Sequence, residues 1–301
     1  MKNAFRLLVV FILLLASIQS ASADEFFSSS ESFAYFNIEN KGLIEMDIET
    51  GEALLYDQYA DITSIAVAPD GDLILNLRDR LVKTDLYKTE KTIFAVEDED
   101  EAWIYHMKAF EGTLYVALTD EGIYSMQFDG TQCRLLTEEA YLHDFVVQST
   151  SLYYCDGTAL YRFDIEGEPG DPEMVVDEIV TAVETYDGTL YFVCGKERAL
   201  RSYEEGGAPV RVIPEGIRDF ALLSGGEQVA AIMRQDSSLK IFDLATGEAR
   251  AAIASACVDV AADENGLYYK QMTEGAGYYD VSEYSVFMVN DDYAPTRIGD
   301  E

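Results

Sequence analysis

The chain has 301 residues, of which 56 are Asp or Glu and only 21 are Lys or Arg, for a formal net charge of −35 at pH 7. A surface of that sign repels phosphate backbones and anionic lipid, so nucleic acid and acidic membranes are excluded as partners.

Residues 1–23 read as a secretion signal. Lys2 and Arg6 form a positive start, residues 7–16 are an apolar stretch too short to span a bilayer, and Ala21-Ser22-Ala23 supplies the small residues of a cleavage site. The mature chain is expected to begin at Asp24. No Cys stands there to carry a lipid, and no later segment has the length of a membrane span. These features predict a secreted or otherwise extracytoplasmic protein, not inserted in a membrane after cleavage.

From Asp24 onward one strand pair recurs about every 39 residues. Its first strand is a turn residue followed by an apolar or aromatic run, as in Asp72-Leu73-Ile74-Leu75, Ser151-Leu152-Tyr153-Tyr154 and Gly266-Leu267-Tyr268-Tyr269. The anchors are Phe33, Leu73, Leu114, Leu152, Leu190, Val229 and Leu267. A second register, Leu43, Leu81, Ile123, Leu160, Leu200, Leu239 and Val286, opens strands that end in Asp47, Asp85, Gln127, Asp164, Glu204, Asp243 and Asn290. Turn clusters follow, in which Asp and Asn side chains bond nearby amides and Gly supplies positive φ. Period-2 alternation in Leu160-Tyr161-Arg162-Phe163-Asp164 marks strands with two distinct faces.

Each unit offers two more strands. Leading strands are predicted at 62–67, 103–108, 144–147, 181–185, 219–222 and 258–261, and trailing strands at 54–56, 92–96, 134–136, 174–176, 210–213 and 249–253. Four short strands per roughly 40 residues form the blade of a β-propeller. The prediction is therefore all-β, with 24–301 as one seven-bladed propeller and six or eight blades as the alternatives. Closure is the open point, because the first unit must draw its innermost strand from 24–30 or from elsewhere. The last unit carries an insertion at 273–280, read as a surface loop or, more sharply, as a lid or partner-contact loop. The acidic run 97–101 reads as a solvated loop.

Cys133, Cys155, Cys194 and Cys257 permit two disulfides in an exported protein. They fall in different units, however, and Cys155 and Cys194 sit at different offsets from their anchors, which points them to opposite faces. Buried free thiols are the expectation. Their spacing matches no zinc arrangement.

Counting back from the anchors places His106, Asp144 and Asp259 at the starts of leading strands, with Asp219 close to the equivalent position. In a propeller these strands line the central channel, so His106, Asp144, Asp219 and Asp259 are the candidate ligand-binding residues at one mouth. Converging carboxylates there would favour a hard ion such as a weakly held Ca²⁺; no other cofactor is implied. The competing reading is structural, since short polar residues at strand ends bond exposed backbone groups.

Leu160-Tyr161-Arg162-Phe163-Asp164 after Asp156-Gly157-Thr158, together with Asp187-Gly188-Thr189-Leu190-Tyr191-Phe192, resemble bacterial propellers of the low-density-lipoprotein-receptor-related type. The segment 239–248 is also similar to repeats of quinoprotein-like and WD-type propellers. The resemblance implies a propeller in an extracytoplasmic setting that binds ligands through a loop face. The Trp-Asp pair of WD repeats is missing, and the single Trp103 departs from the repeated Trp of quinoprotein dehydrogenases, so cofactor chemistry does not carry over. The function predicted is a monomeric, non-enzymatic module that binds or scaffolds a protein or carbohydrate. The alternative is a propeller-type carbohydrate-active enzyme, a lyase or glycoside hydrolase, with carboxylates at the channel mouth.

Overall fold

A computed structural model describes residues 27–298 apart from 31, 39–41, 58–61, 86, 97–101, 120, 139–141, 167–171, 215, 273–283 and 291. The secretion signal, the acidic run 97–101 and the insertion 273–280 thus lie outside the described residues. Within them the chain forms seven four-stranded antiparallel sheets, each built from four consecutive strands running from inside to outside. The inner strands are Phe27–Ser29, Ser64–Val67, Ile104–Phe110, Asp144–Gln148, Val180–Tyr186, Ile217–Leu222 and Cys257–Ala262. From blade 1 through blade 7, each packs against the next. This is a seven-bladed β-propeller.

The two registers of apolar anchors explain how the ring holds together. Leu73, Leu114, Leu152, Leu190, Val229 and Leu267 all face the preceding blade. The second register, Leu43, Leu81, Ile123, Leu160, Leu200, Leu239 and Val286, faces the following one. Each gap between blades is therefore filled from both sides, giving seven apolar layers. The six first-register anchors are no more than 3% exposed. Blade 1 corrects the expected register. Ala34, paired with Met46, is the residue that faces blade 7, whereas Phe33 packs towards blade 2. A shift of one residue exchanges the two faces of a strand.

The ring closes without sharing a sheet between the chain ends. Blade 1 uses Phe27–Ser29 as its inner strand, inside the expected 24–30, and blade 7 is completed by Pro295–Arg297. Aromatic packing joins them: the ring of Tyr268 lies 4.3 Å from Phe27 and 5.3 Å from Phe36. Ser29 Oγ also donates to Asp263 Oδ2 at 2.5 Å.

The disc has two faces. On the back face, the third strands end in the predicted turn residues, and these work as expected. Asp47 Oδ1 accepts from Thr50 N at 2.7 Å, Asp85 Oδ1 from Thr89 N at 2.8 Å, Asp243 Oδ1 from Thr246 N at 2.9 Å, and Asn290 Oδ1 from Ala294 N at 2.9 Å. Gly247, at φ +69°, sits in one of these turns so close to blade 5 that a Cβ would lie 2.4 Å from the Val212 carbonyl oxygen. On the front face, where inner strands begin, Arg78, Arg198 and Ser237 adopt φ of 70°, 56° and 54°. That conformation turns their carbonyls towards the next blade, where they accept from Ile104, Ile217 and Cys257 N at 2.7, 2.8 and 2.9 Å.

All four cysteines are free thiols, and Cys155, Cys194 and Cys257 are buried. Cys133 is exposed, because it lies in a back-face turn rather than in a blade gap. Cys155 and Cys194 enter the same apolar layer between blades 4 and 5. Opposite faces of neighbouring sheets look at each other, so their differing offsets bring them to one layer rather than separating them.

Candidate binding face

The four residues singled out from sequence occupy one equivalent position in four blades. His106 pairs with Ala117, Asp144 with Cys155, Asp219 with Ile232 and Asp259 with Lys270, in each case at the front end of the inner strand. Ser64 and Ala182 fill that position in blades 2 and 5. The ring of positions is real, and its side chains are largely engaged in local bonding. Oδ1 of Asp144, Asp219 and Asp259 each accepts the next residue's amide, from Phe145, Phe220 and Val260 at 2.8, 2.9 and 3.0 Å.

Asp144 does more. Its Oδ2 accepts Val183 N of blade 5 at 2.9 Å, and Lys108 Nζ of blade 3 lies 3.0 Å from Oδ1, so one carboxylate ties three blades. Glu184 repeats the device one blade on, accepting Leu222 N at 2.9 Å. His106 Nε2 lies 2.9 Å from the His143 carbonyl oxygen, which bonds a protonated nitrogen, and Tyr105 packs edge-on against the ring at 4.4 Å. Among the described residues, no group of three or more His, Cys, Asp or Glu is placed to hold a metal ion.

The front face over blades 5 and 6 has a different character. A concavity of about 420 Å³ is lined by Ile179, Gly195, Lys196, Arg198, Arg218 and Arg234. None of the four ring residues lines it. A second concavity of about 570 Å³, lined by Gly216, Met233, Arg234, Gln235, Asp236 and Lys240, shares Arg234 with it. Local structure explains the gathering. Lys196 and Arg198 lie in the turn between the second and third strands of blade 5, and Arg234 begins the matching turn of blade 6. Arg218 is the extra residue of a β-bulge, since pairing of the inner strand of blade 6 shifts between Ile217 and Asp219. Bulges re-aim side chains in this way. The links between blades also shorten here. Residues 58–63, 96–103 and 138–143 join the early blades, whereas only 177–179, 214–216 and 255–256 join the later ones.

Burial and the nearby Arg234 charge both lower the pKa of Arg198, while Asp219 opposes them. Asp219 is therefore the one predicted residue that bears on this concavity. The carboxylate pattern of the sequence does not point to these arginines. The available signal was a local gathering of cations at 196, 198, 218 and 234, in equivalent turns of adjacent repeats, within a chain of net charge −35.

The sequence matches no protein-family model and no curated protein. By structure the chain is similar to propellers of several kinds. PorZ, an essential bacterial surface component of the type-IX secretion system of Porphyromonas gingivalis, gives a TM-score of 0.64 at 11% identity, over 94% of this chain and 39% of that protein. The chain thus spans well under half the length of PorZ. Virginiamycin B lyase from Staphylococcus aureus also gives 0.64, at 13% identity over 83% and 92% of the two chains. The β-propeller domain of Cps50 (Swd1) from Myceliophthora thermophila gives 0.61 at 14% identity, over 85% and 94%. Such likeness carries the propeller fold. A surface component and a lyase share it, so function has to be argued from the site.

Proposed function

We propose that this protein is an exported, non-enzymatic binding module that engages a protein or carbohydrate partner through the front face over blades 5 and 6. One observation carries the reading: four of the few cations in a strongly acidic chain line a single concavity. Ile179, 49% exposed beside them, adds an apolar wall. Trp103 and Tyr105, 46% and 44% exposed at the front end of blade 3, supply further contact area of the amphipathic kind that binding surfaces favour. Export rests on residues 1–23; no helix of the described residues is long and apolar enough to cross a membrane. Likeness to a bacterial surface component accords with that setting.

The test is a screen of the mature protein against immobilised acidic and neutral glycans and peptides, repeated with Ile179→Asp and Arg234→Glu. Binders whose signal falls in both variants support the reading. Binders indifferent to both place the working face elsewhere and overturn it.

A further inference from the structure

We infer that the concavity over blades 5 and 6 is a site for a compact oxyanion, a carboxylate, phosphate or sulfate group on a small ligand. The inference rests on the front-face reading above and gives it a chemistry. Its core is two guanidinium groups held in place by neutral acceptors. Arg198 donates from Nε to the Ile217 carbonyl at 3.1 Å and from Nη2 to the Arg218 carbonyl at 3.0 Å. Arg218 donates from Nη1 to Ser237 Oγ at 3.3 Å and from Nη2 to the Cys257 carbonyl at 2.6 Å.

Carbonyl and hydroxyl oxygens fix a guanidinium without cancelling its charge. A guanidinium has five N–H donors, so each of these two keeps donors to spare for a ligand. Because both side chains are already ordered, binding an anion costs little further side-chain entropy. Arg234 and Lys196 add exposed charge at the rim.

Among the described residues, the carboxylates nearest this group are mostly engaged elsewhere. Glu178 takes the Arg201 guanidinium with both oxygens, at 3.0 and 3.1 Å. Asp236 accepts from Ser238 N at 3.0 Å and from Ser238 Oγ at 2.7 Å. Glu197 stands at the rim, where its carboxylate would lie 3.3 Å from a Cβ on Gly195. Asp219 acts on Arg198 but also accepts from Phe220 N. Among the described residues none of Arg198, Arg218 and Arg234 forms an ion pair, in a chain that pairs Arg80, Arg162, Arg201 and Arg250 with carboxylates. Repulsion from Arg234 is one cause of the lowered pKa of Arg198, and a bound anion would relieve it.

Size and surrounding charge set the ligand class. About 420 Å³ lies in the range of small-molecule sites. A long polyanion leaving the concavity would run over a surface of net charge −35 within a Debye length of about 8 Å, and the repulsion would oppose it. A compact ligand bearing one or two charges can stay over the cationic floor, and guanidinium forks match planar carboxylates and phosphate oxygens alike.

The experiment is calorimetric titration of the mature protein with inorganic phosphate and, separately, with succinate, at constant ionic strength set by sodium chloride. Arg234→Ala and Lys196→Ala are the first variants, because neither side chain holds a blade link. Arg198→Lys keeps the charge and removes the fork. Saturable binding of either anion, weakened at least tenfold by Arg234→Ala and clearly by Arg198→Lys, is expected. Binding of phosphate alone assigns a tetrahedral group and binding of succinate alone a carboxylate. No saturable binding of either, or binding that all three variants leave unchanged, overturns the inference. If the glycan and peptide screen still yields binders sensitive to Ile179→Asp, the front-face reading survives that failure.

Discussion

The two faces of the disc use charge in opposite ways. On the back face, acidic side chains are consumed by the fold: Asp47, Asp85, Asp129 and Asp243 each accept bonds from their own turns, which lower the pKa of the first three, while Asp243 is lowered first by Arg250 and then by its turn. For Asp243, which is also paired with Arg250, the value falls to about 2. On the front face of blades 5 and 6, cations are pinned by carbonyls and keep their charge. The first arrangement terminates strands; the second is available to a ligand. A strongly acidic net charge therefore hides the feature most informative about binding, because its most regular acidic positions, the aspartates at third-strand ends and turns, are structural.

Both faces hang from the same layers between blades, so the largest effects should come from there. Leu152→Ala, at a site with no measurable exposure, should lower stability by about 2–5 kcal/mol through lost transfer energy and a cavity. Denaturant unfolding checks this, and a loss below about 1 kcal/mol would mean that Leu152 does not fill the gap between blades 3 and 4. Gly247→Ala attacks the back face alone. It combines positive φ with a carbonyl 2.4 Å from the new Cβ, so it should cost at least about 1–3 kcal/mol while leaving the front face intact. A neutral result would show that the turn relaxes freely.

Acid should separate the faces next. Carboxylates whose folded pKa lies below the unfolded value of about 3.9 contribute stability that is present above that pH. That contribution is lost as pH falls through the folded value, which for Asp243 is about 2. The melting temperature should therefore fall steeply below about pH 4, and Asp243→Asn should flatten that limb. The same variant should leave the anion affinity of the front face unchanged. The smallest effect belongs to the closing seam. Tyr268 OH is buried without a hydrogen-bond partner among the described residues, so Tyr268→Phe removes an unsatisfied polar group and keeps the stack on Phe27. Stability should stay within about 1 kcal/mol of wild type or rise slightly.

The propeller was legible because every layer between blades repeats one requirement. Leucine or a close substitute recurs in both registers, and the Asp and Asn at third-strand ends recur with it. Blade 1 departs from the expected register by one residue because its anchor is Ala34, too small to stand out beside Phe33, with Phe27, Phe36 and Tyr268 filling the space. The ring of His106, Asp144, Asp219 and Asp259 was found because it belongs to the repeat, and for that reason it is also tied into the repeat's bonding. The arginine concavity is confined to two blades. Its bulge recurs at the same position of blades 3, 5 and 7, where Tyr105, Thr181 and Val258 stand, and a short link recurs at 255–256, so what the repeat does not carry is the arginine at 218 and the cations of the two turns beside it.

One crossed measurement tests the contrast between the faces most directly: the melting temperature of wild type, Arg234→Ala and Asp243→Asn, each with and without succinate or phosphate at fixed ionic strength. An anion that binds only the folded state raises the melting temperature by mass action. Asp243→Asn should melt lower than wild type and keep the anion-induced rise. Arg234→Ala should melt where wild type does and lose the rise. An anion effect that survives in Arg234→Ala, or one that disappears in Asp243→Asn, would contradict the assignment of binding to the front face and of the acidic turns to the fold.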